Sequence, residues 1–452
     1  MRIESINLKH TLHFSDIHLG FHYHNLPITL ILGQQSSGKT TLVRFCYQAL
    51  TWFSARYKDS RAAGLVMLDH EIMHKRLQSK IDIHISFPED IGQLTESSSQ
   101  ISQDTQQCTW QLYKTLNSHG VGLSKVETQQ LEAMITLYQN AQHRDALVGL
   151  PLIAYYPAER FVNDINLISK NNPAILHPMS AYDLTAIPFT TFSRFFEWFR
   201  EINDIENAKT SNIMHQVLKN YHADTEFFFP QTIAGYYANM ATPATKSLQK
   251  TLKIVLPEIN DLYIEYHPKL QLMVQYQKQH ISFQQLSNST RNIIALVGDI
   301  VRRLCLLNPN SLYPCQEGEG ILMIDAIDHQ LDPDMASVIL PRLHEAFPRL
   351  QIIATGTQEA LLENAEGMQC LRLAYQHLHP IQPQQVHMES LYAQLGADPE
   401  VSIVDPISQS ASSDQVEQCL EYLQQLSPEQ QQIVLQRLQE GDTKLTQRLS
   451  SN

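Results

Sequence analysis

The chain has 452 residues, of which 43% are hydrophobic and 17% charged, and its formal net charge is −13. Its length predicts more than one domain, and no apolar run is long enough to predict a membrane span. The acidic balance argues against broad nonspecific coating of nucleic acid, although it permits a local basic patch. Six scattered cysteines without a CxxC pair indicate reduced thiols and a cytoplasmic location.

Strand and loop patterns dominate the first 156 residues. Up to three strands precede residue 33, and the last of them is the apolar run Ile28–Leu32. A helix is predicted at 40–55, and the alternation of polar and apolar residues at 80–87 predicts a half-buried strand. The polar, serine-rich residues 89–107 indicate a surface loop. Ser124 to Glu127 form a capping-box pattern, which predicts that a helix begins there.

After residue 156 the sequence first shows helical patterns and then an alternation of strands and helices. Two helices are predicted near 189–207 and 211–221, and an aromatic stripe in the first favours a core position over a ligand site. Next come a helix at 242–256, a strand pair, an apolar helix at 289–306 and buried strands at 320–325 and 351–355. This order fits a mainly parallel sheet. The chain ends in a Pro- and Gln-rich stretch and an amphipathic helix pair, 414–426 and 428–439, which either docks a partner or packs back.

The strongest motif follows the strand Ile28–Leu32. It reads Gly33-Gln34-Gln35-Ser36-Ser37-Gly38-Lys39-Thr40-Thr41 and matches G-x-x-x-x-G-K-[ST] between a strand and a helix. Its glycines let successive backbone N–H groups cradle phosphate oxygens at a helix N-terminus. Lys39 is expected to reach the β- and γ-phosphates of ATP, and the Thr40 hydroxyl to hold Mg²⁺.

A phosphate-binding loop of this kind needs an acidic group at the end of a neighbouring strand to hold Mg²⁺. Asp325 directly follows the apolar run Ile321 to Ile324 and is the candidate. The sequence therefore predicts a metal site made of Thr40 and Asp325.

Further motifs lie on both sides of Asp325. Leu286-Ser287-Asn288-Ser289 opens an apolar helix like the signature motif of ABC-type ATPases, and Leu331-Asp332-Pro333 is similar to their D-loop. The chain resembles the RecF/SMC-like branch of ABC-type AAA-family ATPases, including the Septu- and retron-associated ATPases of anti-phage defence. Four stretches carry this resemblance: AYYPAERF (154–161), FFEWFREIND (195–204), QLSNSTRNIIALVGDIVRRL (285–304) and EGEGILMIDAID (317–328).

The resemblance implies an α/β fold, an ABC-type P-loop ATPase head with a mixed or parallel sheet, an antiparallel β subdomain and an inserted helical lid. Residues 1–160 would form an N-terminal ATPase lobe with Walker A, and 161–280 the lid. Residues 281–375 would form the C-terminal ATPase lobe with signature, Walker B and D-loop, and 376–452 a polar linker and C-terminal helices. ABC-type sites are completed by the signature of a second subunit, which would contribute Ser287 and Arg291 and implies a homodimer or higher oligomer.

Three departures from the family pattern concern hydrolysis. Ala326 stands where a glutamate normally polarises the attacking water, and Thr357 stands where the switch histidine is expected. Ser289 replaces a signature glycine that lies near the opposite γ-phosphate, where a side chain crowds the approach. No catalytic residue is assigned. Asp328 is the nearest spare carboxylate, with an ordinary loop acid as the alternative.

The first hypothesis is therefore a protein that binds ATP and Mg²⁺ with little or no hydrolysis. It would act as a scaffold or sensor for a partner effector, a nuclease of the HNH type or a toxin. The alternatives are an active DNA-repair-type ATPase and a DNA-binding structural subunit with a vestigial nucleotide site. Four arginines, Arg160, Arg291, Arg302 and Arg303, are candidates to bind phosphate or DNA, with a salt bridge as the alternative for each. Arg291 has the better case because it follows the signature-like segment.

Overall fold

A computed structural model describes residues 1–383 except 24, 99–100, 118–119, 163–164, 166, 168–174, 184–191 and 220–241. The chain divides into two units, Met1–Glu389 and Ser390–Asn452. The second unit, which includes the predicted C-terminal helix pair, lies outside the described residues. In the part of the chain that the structure describes, no helix combines the length and apolarity needed to cross a membrane.

The strands are β1 Arg2–Thr11, β2 Phe14–Gly20, β3 Ile28–Leu32, β4 Gln78–Ser86, β5 Leu94–Ser98, β6 Ile101–Thr105, β7 Gln107–Leu116, β8 Gly122–Glu127, β9 Leu152–Tyr156, β10 Ile259–Glu265, β11 Gln271–Tyr276, β12 Gln279–Ser282, β13 Gly320–Ile324, β14 Leu350–Gly356, β15 Gln369–Ala374 and β16 His377–Pro380. The α-helices are α1 Lys39–Lys58, α2 Gln129–Arg144, α3 Ser193–Lys219, α4 Pro243–Val255, α5 Asn288–Leu307, α6 Pro314–Glu317 and α7 Pro333–Ala346. Short 3-10 turns occur at Asp69–Glu71, Glu89–Ile91, Pro178–Tyr182, Phe283–Gln285 and Glu359–Leu362.

A six-stranded sheet in the order β16-β15-β3-β14-β13-β9 contains the buried apolar strands. All its neighbouring pairs are parallel except β15 and β16. Every residue of β3, β9, β13 and β14 is buried, as expected for parallel strands covered on both faces. The carboxyl ends of these four strands therefore lie along one edge, where ligands bind in open α/β sheets.

An antiparallel sheet in the order β2-β1-β4-β7-β8 forms the second layer and matches the predicted antiparallel β subdomain. Its central strand β4 alternates buried and accessible positions, which confirms the prediction for residues 80–87. The turn between β1 and β2 reaches the phosphate-binding loop, because His13 lies against Gly38. Together the two sheets and their helices confirm the predicted α/β class with both parallel and antiparallel strands.

Two local predictions in this half are wrong. Residues 89–107 are not simply a loop, because β5 and β6 pair there as an antiparallel ribbon. The Ser124–Glu127 capping box does not start a helix, because these residues lie in β8 and pair with β7. Helix α2 begins later, at Gln129. Cross-strand pairing outweighs a local helix-start signal here.

The predicted lid region contains α3, α4 and a three-stranded antiparallel sheet, β10-β11-β12. The two helices predicted at 189–207 and 211–221 are one helix, α3, up to Lys219. Its aromatic stripe is core, as predicted, because Phe195, Phe196 and Phe199 are all buried. Phe195 packs against Gly298 of α5 so closely that a Cβ there would lie 2.3 Å from the ring. The domain boundaries themselves stay a prediction.

Candidate nucleotide site

The predicted phosphate-binding loop leaves β3 at its carboxyl end and enters α1 at Lys39. Gly38 has a φ of 103°, a conformation that L side chains rarely adopt, and a Cβ there would lie 2.1 Å from His13 Nε2. A Cβ on Gly33 would lie 2.7 Å from the carbonyl oxygen of Leu373. Both positions therefore require glycine.

The remaining loop residues frame an accessible surface. Gln34, Gln35 and Ser36 are exposed, while Ser37 and Thr41 are half-buried. Ser36 also has a positive φ of 63°, and the backbone N–H of Ser37 donates to the Gln34 carbonyl at 3.3 Å. The loop is thus a tight turn with accessible polar groups in front of a helix N-terminus, which suits an anion.

Lys39 is folded onto this loop. Its ammonium donates to the carbonyl oxygens of Gly33 at 2.6 Å and Gln34 at 2.8 Å, and it is only 9% exposed. Burial lowers the pKa of Lys39, whereas the carboxylates of Asp325 and Asp328 act to raise it. The cation is therefore held at the loop by acceptors that a phosphate group can replace.

The two predicted magnesium ligands are in direct contact. The Thr40 hydroxyl donates to Asp325 Oδ2 at 2.7 Å, although the residues lie 285 positions apart. On the other side, the Thr355 hydroxyl donates to Asp325 Oδ1 at 2.5 Å. Asp325 is only 1% exposed, so both hydrogen bonds fix its carboxylate. A hydroxyl and a carboxylate beside a phosphate loop are the hard oxygen donors that Mg²⁺ takes, so these residues fit ATP with Mg²⁺.

The backbone at Ala326 is held from both sides. The N–H of Ala326 donates to Thr355 Oγ1 at 2.8 Å. Arg160 donates to the carbonyl oxygens of Asp325 at 2.5 Å and Ala326 at 2.6 Å. Burial lowers the pKa of Arg160 to about 10, against the charges of Asp325 and Asp328, so the guanidinium stays cationic at neutral pH. Ala326 itself has a φ of 45°, a strained value for a residue with a Cβ.

Asp328 is committed to the turn after β14. Its Oδ2 accepts hydrogen bonds from the Thr357 N–H at 2.7 Å, the Thr357 hydroxyl at 2.9 Å and the Gln358 N–H at 2.7 Å. The side chain is 3% exposed. Thr357, at the predicted position of the switch histidine, thus directs its hydroxyl to Asp328. This arrangement shields the carboxylate that sequence reasoning named as the spare acid.

The signature-like segment forms the N-terminus of α5 and supplies its N-cap. Ser287 is the N-cap, and its Oγ accepts from the Thr290 N–H at 3.1 Å. Arg291 donates to the Asn288 side chain, and its Nε is buried without a partner among the described residues. Within those residues Ser287 and Arg291 make no hydrogen bond to the phosphate loop. The predicted role of both, completing the site of another subunit, remains a prediction.

Arg302 and Arg303 are not on the surface, so they do not bind DNA there. Both guanidinium groups donate to Asp299, Arg302 to Oδ1 and Arg303 to Oδ2, each at 2.8 Å. The Tyr156 hydroxyl donates to Oδ2 of the same carboxylate at 2.8 Å. Burial alone raises the pKa of Asp299, but the two arginines outweigh it and hold the pKa well below its usual range. This buried cluster joins α5 to β9.

Two neighbours of the site have no motif that marks them. Thr355 is fully buried at the end of β14, and its role follows only from the register of β14 beside β13. His13 lies over Gly38, and its Nε2 is buried without a partner among the described residues. Thr355 lies at a strand end on the ligand edge, but no sequence pattern identifies either residue as part of the site.

A phosphate-binding loop, the buried carboxylate of Asp325 and the parallel strands that bring them together define a P-loop ATPase, with stretches similar to the signature and D-loop of the ABC type. The chain belongs to the AAA domain family, whose model matches residues 5–267.

Two curated relatives support this assignment, and one solved structure is reported beside them. The chain is 26% identical over 395 residues to "Retron Ec83 probable ATPase" from Escherichia coli, covering 78% of this chain and 68% of the relative. It is 27% identical over 389 residues to "Retron Vc95 probable ATPase" from Vibrio cholerae serotype O1 biovar El Tor, covering 78% and 70%. An SMC head bound to the C-winged helix domain of ScpA gives a TM-score of 0.44 at 11% identity, covering 84% of this chain and 98% of that chain. The predicted resemblance to retron ATPases is confirmed.

Proposed function

We propose that this protein binds ATP with Mg²⁺, hydrolyses it very slowly, and uses the bound nucleotide as a scaffold or sensor that regulates a partner effector in anti-phage defence. One observation carries the proposal. The groups expected to bind nucleotide and metal (the binding half) are present, as the contact of Thr40 with Asp325 illustrates. The group expected to activate water (the catalytic half) is replaced by the methyl group of Ala326.

The binding half has every group that phosphate and metal need. Lys39 would release the Gly33 and Gln34 carbonyl oxygens and donate to phosphate oxygens instead. The backbone N–H groups of the loop would donate to the other phosphate oxygens. Thr40 and Asp325 would hold Mg²⁺. When bound, Mg²⁺ neutralises charge on the β- and γ-phosphates. Thr355 and Arg160 keep Asp325 and the backbone around it in place for this task.

The catalytic half lacks a group to orient or deprotonate water. A methyl group at Ala326 accepts no proton, and Thr357 cannot replace an imidazole at the γ-phosphate. Asp328 is turned to three donors of the β14 turn, which supports its role as a structural acid. ATP would therefore remain bound for long periods, which suits a clamp or sensor better than a motor.

Support for a defence role comes from the relatives, whose names place them in retrons. The Septu and retron resemblance further implies an effector protein, a nuclease of the HNH type or a toxin. In this proposal the effector responds to the nucleotide state of the chain rather than to repeated turnover.

Lys39→Ala is expected to weaken ATP–Mg²⁺ binding by roughly 10- to 100-fold, because charge-assisted hydrogen bonds to phosphate are lost. The measurement is equilibrium binding of ATP–Mg²⁺ together with phosphate release from the same protein. Lys58→Ala is a matched control, since Lys58 is exposed at the other end of α1. Equal affinity of wild type and Lys39→Ala would contradict the nucleotide site. Wild-type turnover of about 1 s⁻¹ or more would contradict the slow-hydrolysis proposal.

We further propose that a second copy of the chain completes the site with Ser287, because Ser287 and Arg291 do not reach the phosphate loop of their own chain. The wild type is expected to form dimers or higher oligomers with ATP and Mg²⁺ at micromolar concentration, as measured by light scattering. Ser287→Arg should keep it monomeric, because a bulky cation would block the interface, while Lys58→Ala should associate normally. A strict monomer for the wild type with ATP and Mg²⁺ would contradict the proposal.

A further inference from the structure

The hairpin turn between β15 and β16 lies beside the phosphate loop. β15 pairs in parallel with β3 up to Leu32, and the Leu373 carbonyl oxygen would lie 2.7 Å from a Cβ on Gly33. Tyr375 directly follows β15, so at the rise of a β-strand it stands roughly 10 Å beyond the end of β3. The turn therefore lies in front of the carboxyl edge that holds the nucleotide site.

The sequence of this turn is unfavourable for its conformation. Ala374 pairs with His377, which leaves two residues in the turn. Tyr375 has a φ of 49° and Gln376 a φ of 66°, both in the left-handed region. Two-residue turns with positive φ at both positions favour Asn-Gly, because a bulky side chain strains this conformation. Strain of this kind concentrates at ligand clamps and active sites, so it indicates a role for the tyrosine beyond the turn.

The side chain of Tyr375 is free to contact a ligand. It is 94% exposed, the largest exposure of any large hydrophobic residue in the described part of the chain. Core packing therefore does not explain a tyrosine here. His13 also lies against the phosphate loop, but it is half-buried and its ring packs on Phe14 at a centroid distance of 4.0 Å. Tyr375 thus offers the more accessible aromatic surface beside the loop.

The strand order indicates where the nucleoside half of ATP would lie. Asp325 follows β13, and β14 separates β13 from β3. Mg²⁺ bridges the β- and γ-phosphates, so a metal held by Thr40 and Asp325 would place the γ-phosphate towards β13 and β14. β15 lies on the other side of β3. The ribose and base would therefore leave the loop on the side of β15 and Tyr375.

We propose that Tyr375 forms the nucleobase subsite of this nucleotide site, with its ring stacked on the base of ATP. The proposal rests on the nucleotide binding proposed above, whose assigned groups contact only phosphate and metal. Every base has a π face, and stacking on an aromatic side chain stabilises a bound base substantially. Because stacking does not read the base edge, the subsite would distinguish a nucleotide from bare phosphate rather than one base from another.

The test compares equilibrium binding of ATP and of tripolyphosphate, both with Mg²⁺, by calorimetric titration of the full chain. Tripolyphosphate presents the phosphate chain without a base, so the wild type is expected to bind ATP more tightly. Tyr375→Asn should weaken ATP binding by about five- to fiftyfold, as the loss of one stacked base, and leave tripolyphosphate binding unchanged. Asparagine adopts the left-handed conformation more readily than tyrosine, so the turn is expected to remain folded. Tyr375→Phe keeps the ring and should recover the wild-type affinity for ATP.

Tyr313→Asn is the matched control, because Tyr313 is a 60% exposed tyrosine just before α6, on the amino side of β13. It should bind both probes like the wild type. If Tyr375→Asn binds ATP as tightly as the wild type while Lys39→Ala binds it weakly, the nucleobase subsite is overturned and the nucleotide site stands. Equal losses for ATP and tripolyphosphate, or a Tyr375→Phe variant as weak as Tyr375→Asn, would also overturn the subsite. A wild type that binds neither probe would overturn the nucleotide site and the subsite together.

Discussion

Ala326→Glu is expected to raise the rate of ATP hydrolysis by about 10²–10⁴-fold, the usual contribution of a positioned general base or acceptor. The backbone at this position is already held by Thr355 and Arg160. The positive φ of 45° penalises alanine and glutamate alike, since both have a Cβ. Ala326 is half-buried, so a longer side chain has solvent to enter. The measurement is steady-state phosphate release at saturating ATP and Mg²⁺.

Ala326→Gln is the control, because glutamine has nearly the same shape as glutamate but cannot accept a proton as a base. We expect it to stay close to the wild-type rate. If the glutamate and glutamine variants hydrolyse equally slowly, the loss of the glutamate is not what limits this site. The rate of the double variant Ala326→Glu with Thr357→His is then compared with the rates of the two single variants. An effect that differs from the product of the single effects shows that both side chains act on the same transition state.

A fast wild type would need a different base, and Asp328 would be the first to test. Asp328→Asn retains an oxygen that can accept from the β14 turn, so the fold is expected to survive. A large fall in turnover in that variant would show that Asp328 acts in catalysis despite its three hydrogen bonds.

The residues of the candidate nucleotide site could be singled out from the sequence because their signals are local. A buried strand, two glycines and a lysine at fixed spacing identify the phosphate loop without knowledge of the rest of the fold. Asp325 was found by the same logic, as an acid directly after an apolar strand. The 2.7 Å contact with Thr40 then follows from the topology, because parallel strands bring their carboxyl ends to one edge.

Supporting contacts could not be predicted in the same way. Arg160 holds the Asp325 and Ala326 carbonyls, whereas the sequence pointed to phosphate, DNA or a salt-bridge partner for it. Thr355 holds the carboxylate, yet its neighbouring residues do not indicate that contact. Strand pairing also overrode local patterns, since β8 replaced the helix start predicted at Ser124. Contacts between residues distant in sequence decide such cases, and a single sequence does not contain them.

The burial of Arg302 and Arg303 did have a signal. Both follow Asp299 at i+3 and i+4 on a helix whose remaining residues are mostly apolar, and residues at this spacing meet on one face. Charges with an opposite partner on a buried helix face indicate an internal ion pair rather than a surface for DNA. Tyr156 adds a hydroxyl to the same carboxylate, and its backbone oxygen accepts from the Asp325 N–H at 2.8 Å. The cluster therefore supports the strand beside Asp325.

Asp299→Asn is expected to lower the free energy of unfolding by about 3–5 kcal/mol, because it leaves two buried guanidinium groups without a counter-charge. Arg302 is 0% and Arg303 1% exposed, so water cannot replace the carboxylate without a rearrangement. One nitrogen of each guanidinium, Nη2, already lacks a partner among the described residues. The measurement is the urea midpoint at constant slope, compared with Asp16→Asn, which removes an exposed carboxylate.

Replacing the whole cluster distinguishes lost charge compensation from lost packing. In the triple variant Asp299→Leu, Arg302→Met and Arg303→Met, no buried charge remains, and apolar side chains of similar volume often match or exceed the stability of a buried ion pair. The triple variant is therefore expected to recover most of the stability that Asp299→Asn loses. A loss below about 1 kcal/mol in Asp299→Asn would mean that the arginines find water or another acceptor. A triple variant as unstable as Asp299→Asn would show instead that α5 and β9 depend on the shape of these side chains and not on their charge balance.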